Sequence, residues 1–318
     1  MSLVVAVVGP TATGKSDLGI ALALALGGEV VNTDAMQLYR GMDIGTAKVP
    51  VDERRGVRHH LLDVLEPSQD ATVADYQQRA RATLTDLDAR GARAVAVGGS
   101  GLYVRALLDH MEFPGTDPDL RARLEERVEQ EGSRSLHAEL AAADPVAADG
   151  IGPRNARRVV RALEVIALTG RPYSASLPQH VYEVPAVQIG LDCNRPTLDA
   201  RVEGRVDRMW AAGLVAEVEG LLARGLGRTA SRAVGYAEVA ALLRGELTEQ
   251  EARAATTAGT RRLARKQMGW FGRDPRVHWL DAQDPDLVDR ALDLVARADA
   301  GTLGPATDDP APRRSLGS

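Results

Sequence analysis

The chain has a single cysteine, Cys193, among its 318 residues. A lone thiol forms no intramolecular disulfide and cannot build a zinc finger, so oxidative staples and structural zinc are excluded. Cys193 reads instead as a small apolar residue near a core strand. Lysine is almost as scarce: of 39 basic residues only Lys15, Lys48 and Lys266 are lysines, so positive charge is carried by arginine. No run approaches the roughly 20 apolar residues a membrane span requires. The opening MSLVVAVVGP lacks a basic segment and its apolar run stops at Gly9, which reads as a buried strand and not a leader. A cytoplasmic protein without a membrane partner is expected.

What is present suits a folded protein: 44% hydrophobic and 26% charged residues, with enough length for two domains or one large domain with an insertion. A net charge of −5, spread evenly, would argue against a nucleic-acid partner. The arginines, however, are clustered.

The β-branched run Val4 to Val8, the glycine after it and the Ala/Leu-rich stretch from Asp17 to Leu26 predict strand, loop and helix. A second apolar run, EVVNTD, ends at Asp34, and a third, ARAVAVGGSGLY, follows a polar helical segment from Val73 to Arg90. Strands alternating with helices imply an α/β fold, a P-loop NTPase-like parallel sheet flanked by helices, whose loops converge past the strand C-termini. From about Thr116 to Pro185 the β pattern vanishes and helical patterns replace it. AVQIGLD then restores the apolar pattern, and further helices are expected from Pro196 to about Ala300. The expected organisation is a core over 1–115 and 186–300, an all-helical insertion domain over 116–185, and a disordered tail over 301–318, where Gly, Pro, Asp and Ser follow no period.

Gly9, Gly14, Lys15 and Ser16 fit G-x-x-x-x-G-K-[ST]. In such a loop backbone amides surround an anion, the next helix points its N-terminus at it, the lysine adds charge and the serine reaches a magnesium ion. This loop binds a polyphosphate; a kinase, an ATPase and a transferase expelling diphosphate would all use one. Asp34, at a strand end beside it, could bind magnesium, accept a proton or cap the following turn. Arg154, Arg157, Arg158 and Arg161 are spaced for one helix face, with Val159, Val160 and Leu163 packing elsewhere; such a face is either solvated or RNA-binding. Arg253 to Arg276 adds seven basic residues against one acidic, Asp274. His59 and His60 lack a third ligand at metal spacing and read as structural, while Trp210, Trp270 and Trp279 read as core residues before base-stacking ones.

Taken together, GPTATGKS, D-x-x-Q-x-Y-x-G-x-D-I-G-T-A-K from Asp34 to Lys48, HHLLD at His59 to Asp63, VGGSGLY at Val97 to Tyr103, RNARRVVRALEV at Arg154 to Val165, RAVGY at Arg232 to Tyr236 and TRRLARKQMGWF at Thr260 to Phe271 resemble the tRNA dimethylallyltransferases, or tRNA isopentenyltransferases. The resemblance runs to about Leu280. It implies transfer of a dimethylallyl group from dimethylallyl diphosphate to N6 of the adenosine just 3′ of the anticodon, tRNA position 37, with release of diphosphate and no ATP consumed. By this resemblance Gly9, Pro10, Thr11, Ala12, Thr13, Gly14, Lys15 and Ser16 hold the diphosphate, Ser16 with Mg²⁺; Asp34 is the base, and Ser100, where many relatives have threonine, is a second catalytic residue that contacts phosphate or amine beside it. It places contacts to the tRNA anticodon stem-loop at Asp34, Ala35, Met36 and Gln37, at Ser100 and Arg121, at Arg154, Asn155, Ala156, Arg157 and Arg158, and at Arg232, Ala233, Val234, Gly235, Tyr236 and Ala237. Ala35 stands where serine is more usual. Nothing in the sequence demands an oligomer, so a monomer is expected.

Overall fold

The computed structural model describes residues 1–176 and 180–306. From 307 onward the expected disordered tail lies outside them. Two compact units are present, one formed by Met1–Leu108 and Tyr182–Ser318, the other by Asp109–Val181, against 116–185 from the sequence. No helix among the described residues is long and apolar enough to cross a membrane.

The larger unit is built on six parallel strands: β1 (Val4–Val8), β2 (Gly28–Asn32), β3 (His59–His60), β4 (Arg93–Val97), β5 (Ala186–Asp192) and β6 (Val277–Asp281), in the order β3-β2-β4-β1-β5-β6. β1 lies between β4 and β5, with Val5 opposite Val95 and Val187. All five of its side chains are buried, which explains a continuous VVAVV run with no polar alternation: a central parallel strand has no wet face. Helices α1 (Lys15–Ala25), α2 (Val73–Ala89) and α3 (Gly101–Leu108) belong to the same unit. Leu18, Ile20 and Leu22 of α1 pack on Val5, Val7, Val95 and Ile189, each contributing about 1.5–3 kcal/mol on burial.

The smaller unit consists of α4 (Pro118–Glu131), α5 (Ser133–Ala143), α6 (Pro145–Gly150) and α7 (Ala156–Thr169), closed on Leu124, Leu136, Leu140, Val159, Val160 and Leu163. The starts of α4, α6 and α7 are capped by Asp117, Asp144 and Asn155, whose side chains accept backbone N–H groups.

After β5 come α8 (Arg195–Ala211), α9 (Leu214–Arg224), α10 (Tyr236–Leu243), α11 (Glu249–Phe271) and, beyond β6, α12 (Leu287–Asp299). The sequence reading of helices alone to Ala300 is thus corrected by β6. VHWLD pairs only with β5, at the sheet edge, so His278 and Asp281 interrupt the β-branched run expected of a buried strand. A second core joins these helices to the loop after β2: Tyr39 and Met42 pack with Trp210, Leu214, Val218, Leu221 and Tyr236. The loop after β2 and the phosphate loop line one cleft.

Candidate active site

The phosphate loop leaves β1 at Gly9, whose φ is +127°, and a Cβ there would stand 2.5 Å from the Leu191 carbonyl oxygen. Only glycine passes this close to the neighbouring strand. Ala12 adopts φ 66°, a left-handed conformation rare outside glycine, and α1 starts at Lys15 with no side-chain cap, so its first amides are available to an anion. The Thr13 hydroxyl donates to the Pro10 carbonyl (2.9 Å), and the Thr11 amide donates to Oε1 of Gln267 on α11 (2.8 Å). Arg205 on α8 reaches the Thr11 hydroxyl at 3.0 Å.

These groups open into one cleft of about 710 Å³, lined among others by Lys15, Ser16, Asp34, Arg205, Arg208 and Gln267. Lys15 Nζ donates to the Pro10 carbonyl at 2.6 Å. Burial and the Arg205 guanidinium lower its ammonium to about 7, against which Asp34 pulls upward. An ordinary lysine is protonated until well above pH 9. We therefore expect Lys15 to react with an acylating reagent near neutral pH, with a rate midpoint at about 7, and inorganic diphosphate to protect it; peptide mass spectrometry reads both. A midpoint well above pH 9 would show that the cleft leaves the amine unperturbed.

Asp34 lies two residues past β2. Its Oδ1 accepts the Met36 amide at 2.9 Å, and its own amide donates to Oδ1 of the buried Asn32 at 2.9 Å. Asn32 in turn donates to the carbonyls of Asp34 and Leu61, both at 3.0 Å, which fixes the turn. Burial raises the Asp34 carboxyl above the usual aspartate range, opposed by the Met36 amide and Lys15. The turn-capping role and a place in the cleft therefore coexist, because the Met36 and Gln37 amides use only part of a carboxylate's acceptor capacity. Ser100 Oγ accepts the Ala35 amide at 3.2 Å, tying the loop after β4 to the one after β2. Asp34, Ser100 and the phosphate loop are brought together as strand-end loops of one sheet.

The arginine clusters are rearranged relative to the periodicity. Arg154 precedes Asn155, the cap of α7, and so lies off the helix. Arg161 is not part of a free basic face: it donates to the Pro114 and Gly115 carbonyls and pairs with Glu164 at 2.8 Å. Arg121 also pairs with the fully buried Glu164, at 2.6 Å. The exposed arginines of α7 are Arg157 and Arg158. Elsewhere in that unit Arg134, Arg154 and Asn155 border an open hollow of about 770 Å³. Within Arg232 to Ala237, Arg232 and Ala237 are exposed, whereas Ala233 and Tyr236 are buried in the second core. On α11, Arg253 pairs with Glu249 and Asp207, and Arg261 with Asp199 and Glu203, which leaves Arg262, Arg265 and Lys266 exposed.

His60 is bonded to Glu29 at 2.5 Å and His59 to the Val57 carbonyl at 3.0 Å. Trp210 is buried under Arg253; Trp270 is half-buried against Gly101 and beneath Arg105; Trp279 is half-buried on β6. No group of three metal-ligating acids, histidines or cysteines occurs among the described residues. The hydroxyl of Ser16 and the carboxylate of Asp34 are hard oxygen donors sharing the cleft, a set suited to magnesium carried in on a phosphate chain and not to zinc. Arg205, Arg208 and Gln267 are functional candidates absent from the sequence reading. Arg201, Arg205 and Arg208 do recur at helical spacing, but Glu203 and Asp207 between them disguise the pattern as an ordinary charged helix.

The sequence profile of the IPP transferases matches residues 37–274. A tRNA dimethylallyltransferase of Thermobifida fusca is 61% identical over 302 residues, covering 93% of this chain and 95% of its own. The crystal structure of the full-length tRNA isopentenylpyrophosphate transferase of Bacillus halodurans is similar, with a TM-score of 0.71 and 39% identity over 95% of this chain and 98% of that one. A eukaryotic dimethylallyltransferase shares the fold at a TM-score of 0.82 and 24% identity, over 95% and 80% of the two chains.

Proposed function

The chain belongs to the IPP transferase family, and from that premise we infer that it transfers a dimethylallyl group from dimethylallyl diphosphate to N6 of the adenosine 3′-adjacent to the tRNA anticodon, releasing diphosphate. The observation that carries the site assignment is one cleft lined by the phosphate loop, by Arg205 and Arg208 of α8 and by the Asp34 carboxyl, whose pKa is raised.

An exocyclic adenine amine is a weak nucleophile. As its nitrogen forms a bond to the allylic carbon, the carbon–oxygen bond to diphosphate breaks, the electron pair leaves with the diphosphate, and Asp34 takes the proton. A general base contributes about 10²–10⁴-fold, roughly 3–5 kcal/mol, where enzymes supply ~8 kcal/mol or more. The remainder comes from stabilising the charge on the departing diphosphate. Amides of the loop from Ala12 to Ser16, the Lys15 ammonium and Arg205 are the groups of this chain that would meet it. Ser16 would hold a magnesium ion that shares this charge. The allylic carbon assists because it tolerates positive character as the bond to oxygen breaks.

The adenine must leave its stack to meet Asp34, as for other base-modifying enzymes. We assign tRNA contacts to Asp34, Ala35, Met36, Gln37 and Ser100 at the cleft, and to Arg154, Asn155, Ala156, Arg157 and Arg158 and the exposed Arg232 beyond it. We further propose that the enzyme works as a cytoplasmic monomer. Replacing Arg157 and Arg158 together by alanine is expected to weaken tRNA binding and to lower the slope of log affinity against log salt by about two, one for each lost phosphate contact. A filter-binding salt titration with an unchanged slope would remove both residues from the RNA-facing surface.

The whole reading is tested by incubating the enzyme with magnesium and unmodified tRNA, with either dimethylallyl diphosphate or ATP, and analysing the nucleosides by mass spectrometry. Dimethylallyl-adenosine formed only with the prenyl donor supports it. ADP formed from ATP, with no prenylated nucleoside in either sample, would make the phosphate loop that of a kinase or ATPase.

A further inference from the structure

The segment DIGTAK, Asp43 to Lys48, has no part in the transfer chemistry above, yet it is held at every turn. Glu217 on α9 accepts three consecutive amides, those of Asp43 (3.0 Å), Ile44 (2.8 Å) and Gly45 (3.2 Å), and the Tyr236 hydroxyl donates to the same carboxylate at 2.6 Å. The Tyr236 ring lies so close that a Cβ on Gly45 would stand 2.4 Å from it. From the other end the buried Lys48 ammonium donates to the Tyr39 carbonyl (2.5 Å), Asp43 (2.7 Å) and Asp63 (2.6 Å). Thr46 closes the turn onto the Met42 carbonyl at 2.6 Å, and Gln37 donates to the Thr46 carbonyl at 3.0 Å.

So much polar bracing fixes an apolar surface. Ile44, Ala47, Val49, Pro50 and Val51 line the same cleft as the phosphate loop, as does Met209 of α8. Val51 is 75% exposed at this lining. The cleft thus combines a cationic part, with Lys15 and Arg205, with a stretch where apolar side chains stand among the polar Asp43, Thr46 and Lys48. A short prenyl diphosphate has the same division between a charged head and an apolar tail.

We propose that the segment from Asp43 to Val51 is the wall against which the donor's hydrocarbon packs, that Ile44 and Met209 bound the chain length it admits, and that Glu217 is the positioning residue that fixes the wall. The proposal rests on the prenyl-transfer reading. Glu217 touches neither substrate; its carboxylate organises three amides, and the loop they belong to presents the apolar side chains. Replacing it by glutamine keeps the shape but turns an amide NH₂ toward backbone donors, so part of the nest loses its acceptor.

The test uses the full-length enzyme, saturating tRNA, and two donors, dimethylallyl diphosphate and the ten-carbon geranyl diphosphate. Glu217→Gln is expected to raise KM for the five-carbon donor about tenfold, with kcat within about twofold and tRNA affinity unchanged, and Glu217→Asp to recover part of the loss. Ile44→Ala and Met209→Ala are expected to shift the ten-carbon to five-carbon ratio of kcat/KM upward by about tenfold or more, the scale of discrimination that apolar pockets achieve. Thermal melting establishes that each variant is folded. Folded variants that keep the wild-type KM and the wild-type ratio would overturn the proposal; if Glu217→Gln does not fold, the two alanine variants decide. Wild-type enzyme that prenylates tRNA while the variants show no shift sinks this inference alone, whereas wild-type enzyme that transfers no five-carbon group overturns the underlying reading as well.

Discussion

Asp34→Asn is expected to lower single-turnover prenyl transfer about 10²–10⁴-fold, the range a lost general base spans, while leaving tRNA affinity nearly unchanged. Asparagine keeps an oxygen for the Met36 amide, so the turn that Asp34 and Asn32 build survives. What disappears is the acceptor for the N6 proton. The pH dependence carries a second signature. Burial raises the Asp34 carboxyl above the ordinary aspartate range, and the working form is the ionised one. The wild-type rate should therefore rise with pH through that elevated pKa and level off, and the rising limb should vanish in Asp34→Asn. Rates from rapid quench and affinities from filter binding separate the two effects. Equal losses in both would mean that Asp34 acts only through its contact with tRNA and not as the base.

Arg205→Ala should cost about 10²–10³-fold in kcat/KM for the donor, comparable to deleting one donor from a preorganised anion site, with tRNA binding retained. Arg205 reaches Thr11 from α8 and stands close enough to Lys15 to depress its pKa. Its removal thus acts twice. A cation is lost from the diphosphate site, and Lys15, freed of a like charge, should titrate above its present value of about 7. The acylation midpoint of Lys15 should move upward in the variant. Arg205→Lys is expected to restore only part of the activity, since an ammonium lacks the planar fork that grips two phosphate oxygens. A variant with unchanged donor kinetics and an unmoved midpoint would assign Arg205 to bracing Thr11 alone.

The phosphate loop is legible in the sequence because its parts lie within eight residues and its shape follows from local backbone preference. Asp34 and Ser100 are legible for a related reason: each closes a hydrophobic run, and parallel strands deliver their ends to one side. Arg205 is not, since it lies 194 residues from Thr11 and its helix is otherwise an ordinary mixture of charges. The arginines of α7 are misjudged for another cause. Spacing cannot tell a solvated arginine from one folded onto a neighbouring acid, and Glu164, placed three residues after Arg161, draws in that arginine of α7 and Arg121 of α4 as well. Tyr236 escapes for the same want of a third dimension: within RAVGY it looks like part of a recognition loop, but its ring fills a core and its hydroxyl serves Glu217. β6 is hidden because an edge strand carries too little apolar pattern to stand out between long helices.

The order of the strands also governs how the chain is made. β1 needs β4 on one side and β5 on the other, yet between them in the chain stand the 73 residues of Asp109–Val181. A ribosome delivers β1, β2, β3 and β4 first, then a whole bundle with a core of its own, and only afterwards the strand that covers the open flank of β1. Until β5 emerges, the VVAVV strand keeps one row of amides and carbonyls unpaired, the condition under which strands join the wrong partner. The pause lasts for as long as it takes to synthesise the bundle, about 4–15 seconds at 5–20 residues per second. Synonymous codon choice within the bundle therefore sets how long the nascent sheet stays open, and slow codons there should lower the soluble yield of a protein whose sequence is unaltered.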